Sequence, residues 1–456
     1  MPEDVTVQLA KFVTDLAFDQ LPADVIDKAK VTLLDTVGVN IGASTTASAK
    51  PAREVAEEFG PGPGTILGTK GTAQPVWAAL ANGVAIHSLE WDDYHEVMLH
   101  ASASVVPVAL ALGEATGANG RELLAAIVAG SEVTIRMAKA GVMSCDERGF
   151  HNTGITNVFG AAAAACRMLE ATEEQTLYAL AIAANQASGV EEFLVGHSWT
   201  KRLHPGWSAH AGIVAAMLAK KGFWGERSAI EGDLGFYHAY FNTYDLSAIT
   251  DGLGETFDPF LGNTVKYFSC CGRIHTALDA ELRIMTDENL KSEDVISVLV
   301  ALNTRDVETL GRPEEMRRNP PGRLEAQFSI PYCIAAALAD GELTLKQFTP
   351  ESIASPAIRA AIDKVTVVAE PAYDSVPDSW PGRVTITTKD GRSFTKEVVH
   401  PPGSRENPLT WDQLVQKFMA VGSLAMGERQ LAELADHLAT VEDWPAMTRL
   451  TELLRA

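Results

Sequence analysis

Apolar residues recur with helical spacing through most of the first 260 positions. In segment 23–41, ADVIDKAKVTLLDTVGVNI, residues Val25, Ala29, Leu33 and Val37 fall on one face of a helix. The same spacing returns in segments that begin near 75, 102, 120, 156, 172 and 208, most of them rich in alanine and glycine and poor in charge. Such helices are buried on most sides, so the pattern predicts a large helical bundle.

Two of these helices carry recognisable start signals. Thr172 is followed three residues later by Gln175, which is the spacing of a capping box. Asn119 and Gly120 interrupt the chain just before the apolar run RELLAAIVAG. We therefore expect helices to begin at these two places.

The pattern changes near residue 290, where apolar and polar positions begin to alternate. Segments 294–304 and 383–399 are rich in β-branched residues, and Asp390-Gly391 divides the second into two strand-like halves, as in a hairpin. Helical spacing returns between these segments and again after residue 402. The predicted fold is mostly α: a helical domain of residues 1–264 and 402–456, with an α+β domain of residues 265–401 inserted as a lid.

Composition and charge narrow the class of protein. With 46% apolar and 21% charged residues, the chain is typical of a soluble globular protein, and no apolar stretch is long enough for a membrane span. The acidic start MPEDVTVQLAKF is unlike a secretory signal, and five cysteines without a CxxC pair indicate neither a disulfide framework nor a zinc site. We expect a cytoplasmic protein. Its net charge of -22 argues against nucleic acid and anionic membranes as partners, so an anionic ligand needs a local cluster of Lys and Arg.

The segment LEWDDYHEVMLHASAS, residues 89–104, gathers four acids and two histidines between apolar helices. A zinc helix requires histidines at i and i+4, whereas His95 and His100 are five apart, so we predict no metal. The acids fit either a solvated face or the wall of a buried pocket, where burial shifts the pKa values of carboxylates and imidazoles. The apolar helices on both sides favour the pocket.

Other titratable residues lie in similar breaks. His151 precedes a small-residue helix, and it is either a structural histidine or part of a site. Two basic clusters fit either a solvated basic face or a binding site for carboxylate or phosphate. One gathers His197, Lys201, Arg202, His204 and His210, and the other Lys266, Arg273 and His275. The chain has no GxGxxG after a strand, no GxxxxGK[ST] and no GxSxG, which disfavours dinucleotide, P-loop and α/β-hydrolase chemistry.

The segment ANGVAIHSLEWDDYHEVMLHASASVVPVALALGE resembles a conserved stretch of the MmgE/PrpD family. That family includes 2-methylcitrate dehydratases, cis-aconitate decarboxylases and an iminodisuccinate epimerase. Further likeness runs through GFHNTGITNVFGAAAAAC, WTKRLHPGWSAHAGIVAAMLA and VKYFSCCGRIHTALDA, and covers essentially the whole chain. The resemblance implies a homodimer, a site between the helical domain and the lid, and chemistry without metal or organic cofactor.

The resemblance also implies a set of site residues. His100 and His151 match the proton-transfer pair, Glu90 would orient or tune one of them, and Tyr332 is a candidate acid. Lys201 and Lys266, helped by Arg273, would clamp the substrate carboxylates. Glu90 stands where the family usually has Asp. Tyr94 stands where it has a small hydroxyl residue, so Tyr94 is expected at the pocket wall and the substrate is expected to differ from that of the best-known members.

The expected function is a cofactor-independent lyase that takes a proton from carbon next to a carboxylate of a small di- or tricarboxylate. A carbon-oxygen lyase similar to 2-methylcitrate dehydratase is the main hypothesis. A decarboxylase of the cis-aconitate type and an epimerase of an iminodicarboxylate such as iminodisuccinate are the alternatives. Outside enzymes, the alternative is a helical dimer that binds an anion. Fold likeness constrains the class of protein more than the reaction.

Overall fold

The computed structural model describes residues 4–141, 144–196, 198–376 and 379–455. The chain divides into two compact units, one of residues 1–264 with 410–456 and the other of residues 265–409. None of the described helices has the length and apolar character needed to cross a membrane. The fold is mostly α, as the sequence predicts.

The first unit, here called the helical unit, is built almost entirely of helices. Helices that pack closely use small residues at their crossings, as the alanine-rich sequence predicts: a Cβ on Gly42 would lie 2.2 Å from the carbonyl oxygen of Val421 in the C-terminal tail. A two-stranded ribbon, β1 (Gly64–Thr65) and β2 (Thr72–Ala73), is added to it. The helices, numbered in chain order, are α1 (Val5–Asp15), α2 (Ala23–Ala43), α3 (Ala49–Glu58), α4 (Pro75–Ile86), α5 (Ser102–Thr116), α6 (Gly120–Ala140), α7 (Asn152–Met168), α8 (Glu173–Ala184), α9 (Phe193–Gly196), α10 (Thr200–Lys220), α11 (Phe236–Tyr240), α12 (Ser247–Thr250), α13 (Asp258–Leu261), α21 (Trp411–Gly422), α22 (Glu428–Leu438) and α23 (Thr448–Arg455).

Both predicted helix starts are confirmed. Asn119 caps α6, where its side chain accepts a hydrogen bond from the backbone N–H of Glu122. Thr172 caps α8 in the same way, accepting from Gln175, and the Gln175 side chain bonds back to the Thr172 N–H. Each cap satisfies N–H groups that the first helical turn leaves without a partner.

The second unit, here called the α+β unit, contains a four-stranded sheet in the order β4-β3-β5-β6. Strand β3 pairs parallel to β4 and antiparallel to β5, and β5 pairs antiparallel to β6. The predicted hairpin at Asp390-Gly391 is confirmed as the β5–β6 turn, in which Gly391 has a φ of 87° that suits glycine. Its elements are α14 (His275–Asp287), β3 (Val295–Leu302), α15 (Thr304–Leu310), α16 (Glu314–Arg318), α17 (Arg323–Gln327), α18 (Ile330–Asp340), α19 (Pro350–Ile353), α20 (Pro356–Ile362), β4 (Val365–Ala369), β5 (Gly382–Thr388) and β6 (Ser393–Val398).

The end of the α+β unit lies beyond its last strand. Gly403 accepts a backbone hydrogen bond from Val265 at 3.1 Å and donates one to Asn407 at 2.8 Å. These bonds tie the segment after β6 to the first residue of the unit. The compact unit therefore extends to residue 409 rather than ending with the sheet.

Candidate functional site

The polar segment after α4 is a buried loop between α4 and α5. Residues 87–95 are all buried, although five of these nine side chains are acidic or imidazole groups. Glu90 has a φ of 54°, a left-handed conformation that costs a non-glycine residue energy and persists only where the surroundings hold it. Buried charge in a strained loop needs partners from other elements.

Helix α10 supplies the partners for Glu90. Lys201 Nζ donates a hydrogen bond to Glu90 Oε1 at 2.5 Å, and Arg202 Nη1 lies 3.6 Å from the same oxygen. Arg202 also donates to the carbonyl oxygen of His87 at 2.6 Å. The close approach of α10 to α4 requires glycines where the two helices cross, because a Cβ on Gly83 of α4 would lie 2.7 Å from the Cα of Gly206 in α10.

His100 lies at the far end of the loop and is held by backbone and side-chain contacts. Its Nδ1 is 2.7 Å from the carbonyl oxygen of Asp93, and Asn157 of α7 donates to the His100 carbonyl oxygen at 2.8 Å. A carbonyl oxygen only accepts hydrogen bonds, so Nδ1 carries the proton and Nε2 carries the lone pair. His100 is 12% exposed at its side chain, which makes it the accessible member of the group.

His151 precedes α7 and pairs with His204 of α10. Their Nδ1 atoms are 2.8 Å apart, so one ring donates and the other accepts a single shared proton. Burial lowers the pKa of His204 to about 4, with the charges of His87 and Lys201 acting in the same direction. Burial also holds the pKa of His151 well below its usual value, helped by His204, Lys201, His87 and His100. Both rings are therefore neutral near pH 7, and these five side chains share one electrostatic environment.

The two neighbouring aspartates have different surroundings. Asp93 Oδ2 accepts from the backbone N–H of Ser102 at 3.1 Å and from the Asn263 side chain, so this acid shapes the turn into α5. Burial, together with the charge of Asp92, raises the pKa of Asp93 to about 6. Asp92 Oδ2 instead lies 2.7 Å from His87 Nδ1 and 3.4 Å from His100 Nδ1.

Among the described residues, His87, Asp92 and His100 form the one group whose geometry suits a metal ion, with one ligand atom from each within 4.8 Å of the others. His95, the other histidine of segment 89–104, contacts Glu96 and the carbonyl oxygen of Pro259 instead. The 2.7 Å separation of His87 Nδ1 and Asp92 Oδ2 is that of a hydrogen bond. Two ligands of a tetrahedral zinc ion lie about 3.3 Å apart, so this pair shares a proton in the structure and would have to separate to bind such an ion.

The structure brings four of the predicted site residues together in the helical unit: Glu90, His100, His151 and Lys201. Tyr94 is buried in the same loop, and its backbone pairs with that of Thr264. Among the other basic residues predicted there, Arg202 and His204 join the group, His210 stacks on Trp207, and His197 lies outside the described residues.

Three predicted site residues belong to the α+β unit. Lys266 is buried near its start. Arg273 donates to Asp306 Oδ1 at 2.7 Å in a buried ion pair. Tyr332 lies in the apolar core of this unit, and its hydroxyl donates to the carbonyl oxygen of Gln347. Burial raises the pKa of Tyr332, so this phenol is a weak acid in the structure.

Sequence reasoning gave no catalytic role to His87 or to Asp92. A lone histidine near the end of the apolar helix α4 is typical of a satisfied core residue, and nothing in its spacing indicates a partner. The one local signal is the separation of five residues between His87 and Asp92, which spans the end of the helix and the start of the loop.

The chain belongs to the MmgE/PrpD family, as the resemblance predicts. The N-terminal domain of that family matches residues 7–248, and its C-terminal domain matches residues 268–440. The chain is 27% identical to a cis-aconitate decarboxylase of Aspergillus terreus, over 99% of this chain and 96% of that protein. It is 28% identical to the cis-aconitate decarboxylases of Homo sapiens and Mus musculus, over 100% of this chain and 95% and 94% of theirs.

The histidine pair makes a prediction for stability. The unfolded chain binds protons at these rings below about pH 6.5, whereas folded His204 resists protonation down to about pH 4, so stability falls as the pH drops through that interval. When the pH drops from 7 to 5, we expect the free energy of unfolding of His204→Gln to fall by about 2 kcal/mol less than that of the wild type. Urea unfolding at several pH values measures the difference. The same substitution at the partly exposed His400 is the control, and equal pH slopes for all three proteins would contradict the prediction.

Proposed function

We propose that this protein is a cofactor-independent lyase that decarboxylates a small unsaturated tricarboxylate of the cis-aconitate type. The observation that carries the proposal is the buried group of Glu90, Lys201, His100 and His151, which combines a cation for a substrate carboxylate with imidazoles for proton transfer. The names of the relatives favour decarboxylation over the dehydration expected from the sequence, because their likeness extends over almost the entire chain.

The chemistry asks for two functions. Loss of CO2 leaves an electron pair on carbon, which is delocalised toward a neighbouring carboxylate, so a cation close to that carboxylate lowers the barrier. A proton must then be delivered to carbon. Lys201 is proposed for the first task. His100 is proposed for the second, because its Nε2 faces away from the carbonyl that holds Nδ1 and its side chain is the accessible one.

The remaining predicted residues keep narrower roles. His151 is neutral and shares a proton with His204. It is therefore proposed to accept a hydrogen bond from the substrate or to donate one to it. Lys266 stays a predicted clamp, and Tyr94 stays a predicted determinant of substrate shape. Arg273 forms an ion pair with Asp306, and the Tyr332 hydroxyl donates a hydrogen bond to the Gln347 carbonyl oxygen. Neither residue is therefore assigned a step of the reaction.

The reaction is tested on the purified wild-type protein with cis-aconitate, 2-methylcitrate, citrate and iminodisuccinate in deuterated water, followed by NMR. We expect cis-aconitate to lose one carbon as CO2 and to gain deuterium at the carbon that is protonated. A new alkene from 2-methylcitrate would favour dehydration, and deuterium at the α position of iminodisuccinate would favour epimerisation. Absence of change in every substrate would support an anion-binding dimer instead.

The role of Lys201 is tested by replacing the whole ion pair. Lys201→Met alone breaks a buried ion pair and leaves Glu90 with the longer 3.6 Å contact to Arg202, so we expect a loss of stability of up to about 3–5 kcal/mol. The double variant Lys201→Met with Glu90→Gln removes both charges, so we expect a folded protein whose turnover falls by about 100-fold or more. The matched control neutralises the remote pair Lys30–Glu442 and should keep wild-type turnover. Wild-type turnover in the variant Lys201→Met with Glu90→Gln would mean that Lys201 serves only to neutralise Glu90.

We also propose that the protein is a homodimer formed through the outer face of α10. Leu203, Trp207 and Met217 are between 41% and 44% exposed on one side of this helix. His210 stacks on Trp207 with ring centres 5.0 Å apart, and Trp77 and Phe59 continue the same surface. Helix α10 contains no acidic residue, so two chains that each carry a net charge of -22 can meet here without repulsion between facing carboxylates.

Sedimentation of Trp207→Glu tests this interface. A buried glutamate on both sides of a two-fold contact is unpaired, so we expect the wild type to sediment as a dimer and the variant as a folded monomer at micromolar concentration. Leu234→Glu is the control, because Leu234 is 96% exposed and lies outside this face. A monomeric wild type, or a Trp207→Glu variant that remains a dimer, would contradict the proposal.

A further inference from the structure

Asp92 lies between two imidazoles in the buried loop. Its Oδ2 is 2.7 Å from His87 Nδ1 and 3.4 Å from His100 Nδ1, and the two rings meet edge to face with centres 4.5 Å apart. The side chains of Asp92 and His87 are completely buried, whereas that of His100 is 12% exposed. One carboxylate oxygen is thus close to both a fully buried histidine and a partly exposed one.

The hydrogen bonds fix the same tautomer for both rings. His87 donates from Nδ1 to the carboxylate, and His100 donates from Nδ1 to the carbonyl oxygen of Asp93. The lone pair of each ring is therefore at Nε2. Among the described residues, Nε2 of His87 has no hydrogen-bond partner, so this ring gains nothing there from a second proton.

The two histidines differ in how readily they can become cations. Burial lowers the pKa of His87, against the opposing charge of Asp92, so His87 is neutral near pH 7. His100 has the same carboxylate within 3.4 Å and is partly open to water, so its cation is stabilised without the full cost of burial. Of these two rings, His100 is the better placed to hold a second proton.

We propose that Asp92 is a positioning residue that stabilises the protonated form of His100, and that His87 weakens this effect by holding the same oxygen. The Asp93 carbonyl, which holds Nδ1, leaves Nε2 as the atom of His100 that exchanges the proton. The carboxylate acts as one does behind a catalytic imidazole: it stabilises the charged ring without itself touching the substrate. The inference extends the proposed proton transfer by His100 and rests on it.

The proposal predicts opposite effects for two variants. Asp92→Asn removes the charge and should lower the proton affinity of His100 by about tenfold or more, so its titration moves to lower pH. His87→Phe keeps the ring volume but frees the carboxylate, so the titration of His100 should move to higher pH. Damage to packing alone has no reason to give opposite signs.

The measurement is a histidine NMR titration of the full-length protein without substrate, with the His100 signal assigned by its loss in His100→Gln. Glu132→Gln is the control, because it removes another buried carboxylate, paired with Arg136 at 2.8 Å, and should leave the His100 titration unchanged. Shifts of the same sign in both variants, or no shift in either, would overturn the proposal. If Asp92→Asn does not fold, an upward shift in His87→Phe supports the proposal and its absence overturns it.

Turnover provides a separate readout. In the active enzyme, the limb of the pH–rate profile that His100 controls should move with the NMR titration in each variant. Titration shifts in a protein that turns over none of the tested substrates would leave the electrostatic coupling standing and remove the proposed function. One equivalent of bound divalent metal in the purified protein, lost together with the coupling on chelation, would replace the proposal by a metal site at His87, Asp92 and His100.

Discussion

The buried ion pair between Glu90 and Lys201 is the interaction on which the candidate site depends. It joins the loop after α4 to the first turn of α10, across 111 positions of sequence. Burial of either charge alone costs several kcal/mol, so the loop and the helix must come together as a pair. The left-handed backbone of Glu90 adds a further cost, and the contacts of Arg202 with Glu90 and with the His87 carbonyl help to hold it.

Around this pair, burial determines the charge of each imidazole. Several histidines close together would repel one another if all were protonated, and burial prevents this by lowering the pKa of His87, His151 and His204. Neutral rings can then donate and accept hydrogen bonds in fixed directions. Since these rings resist protons, the site can hold positive charge on Lys201 and Arg202 without accumulating more of it.

Local signals were sufficient to predict most of the fold. The caps at Asn119 and Thr172 and the turn at Gly391 are set by a few adjacent residues, and the structure confirms them. The polar break between α4 and α5 was predicted because acids cannot continue a buried apolar helix. Pairing was not predictable, because His87 with Asp92 and His151 with His204 depend on which helices cross. The sequence identified Glu90 and Lys201 separately, and that they carry the chemistry stays a prediction.

Under the proposed function, the ion pair also constrains how an anionic substrate would bind. A carboxylate that approaches Lys201 competes with Glu90 for the same ammonium group, so binding would be weak if Glu90 were left without a cation. Arg202 meets this need, because its Nη1 is 3.6 Å from Glu90 Oε1 and its guanidinium remains charged at any physiological pH. Lys201 can then turn part of its hydrogen-bonding capacity toward the substrate while Glu90 stays compensated. In the proposed site, the adjacent pair Lys201-Arg202 therefore combines one cation that would be shared with the substrate and one that holds the loop.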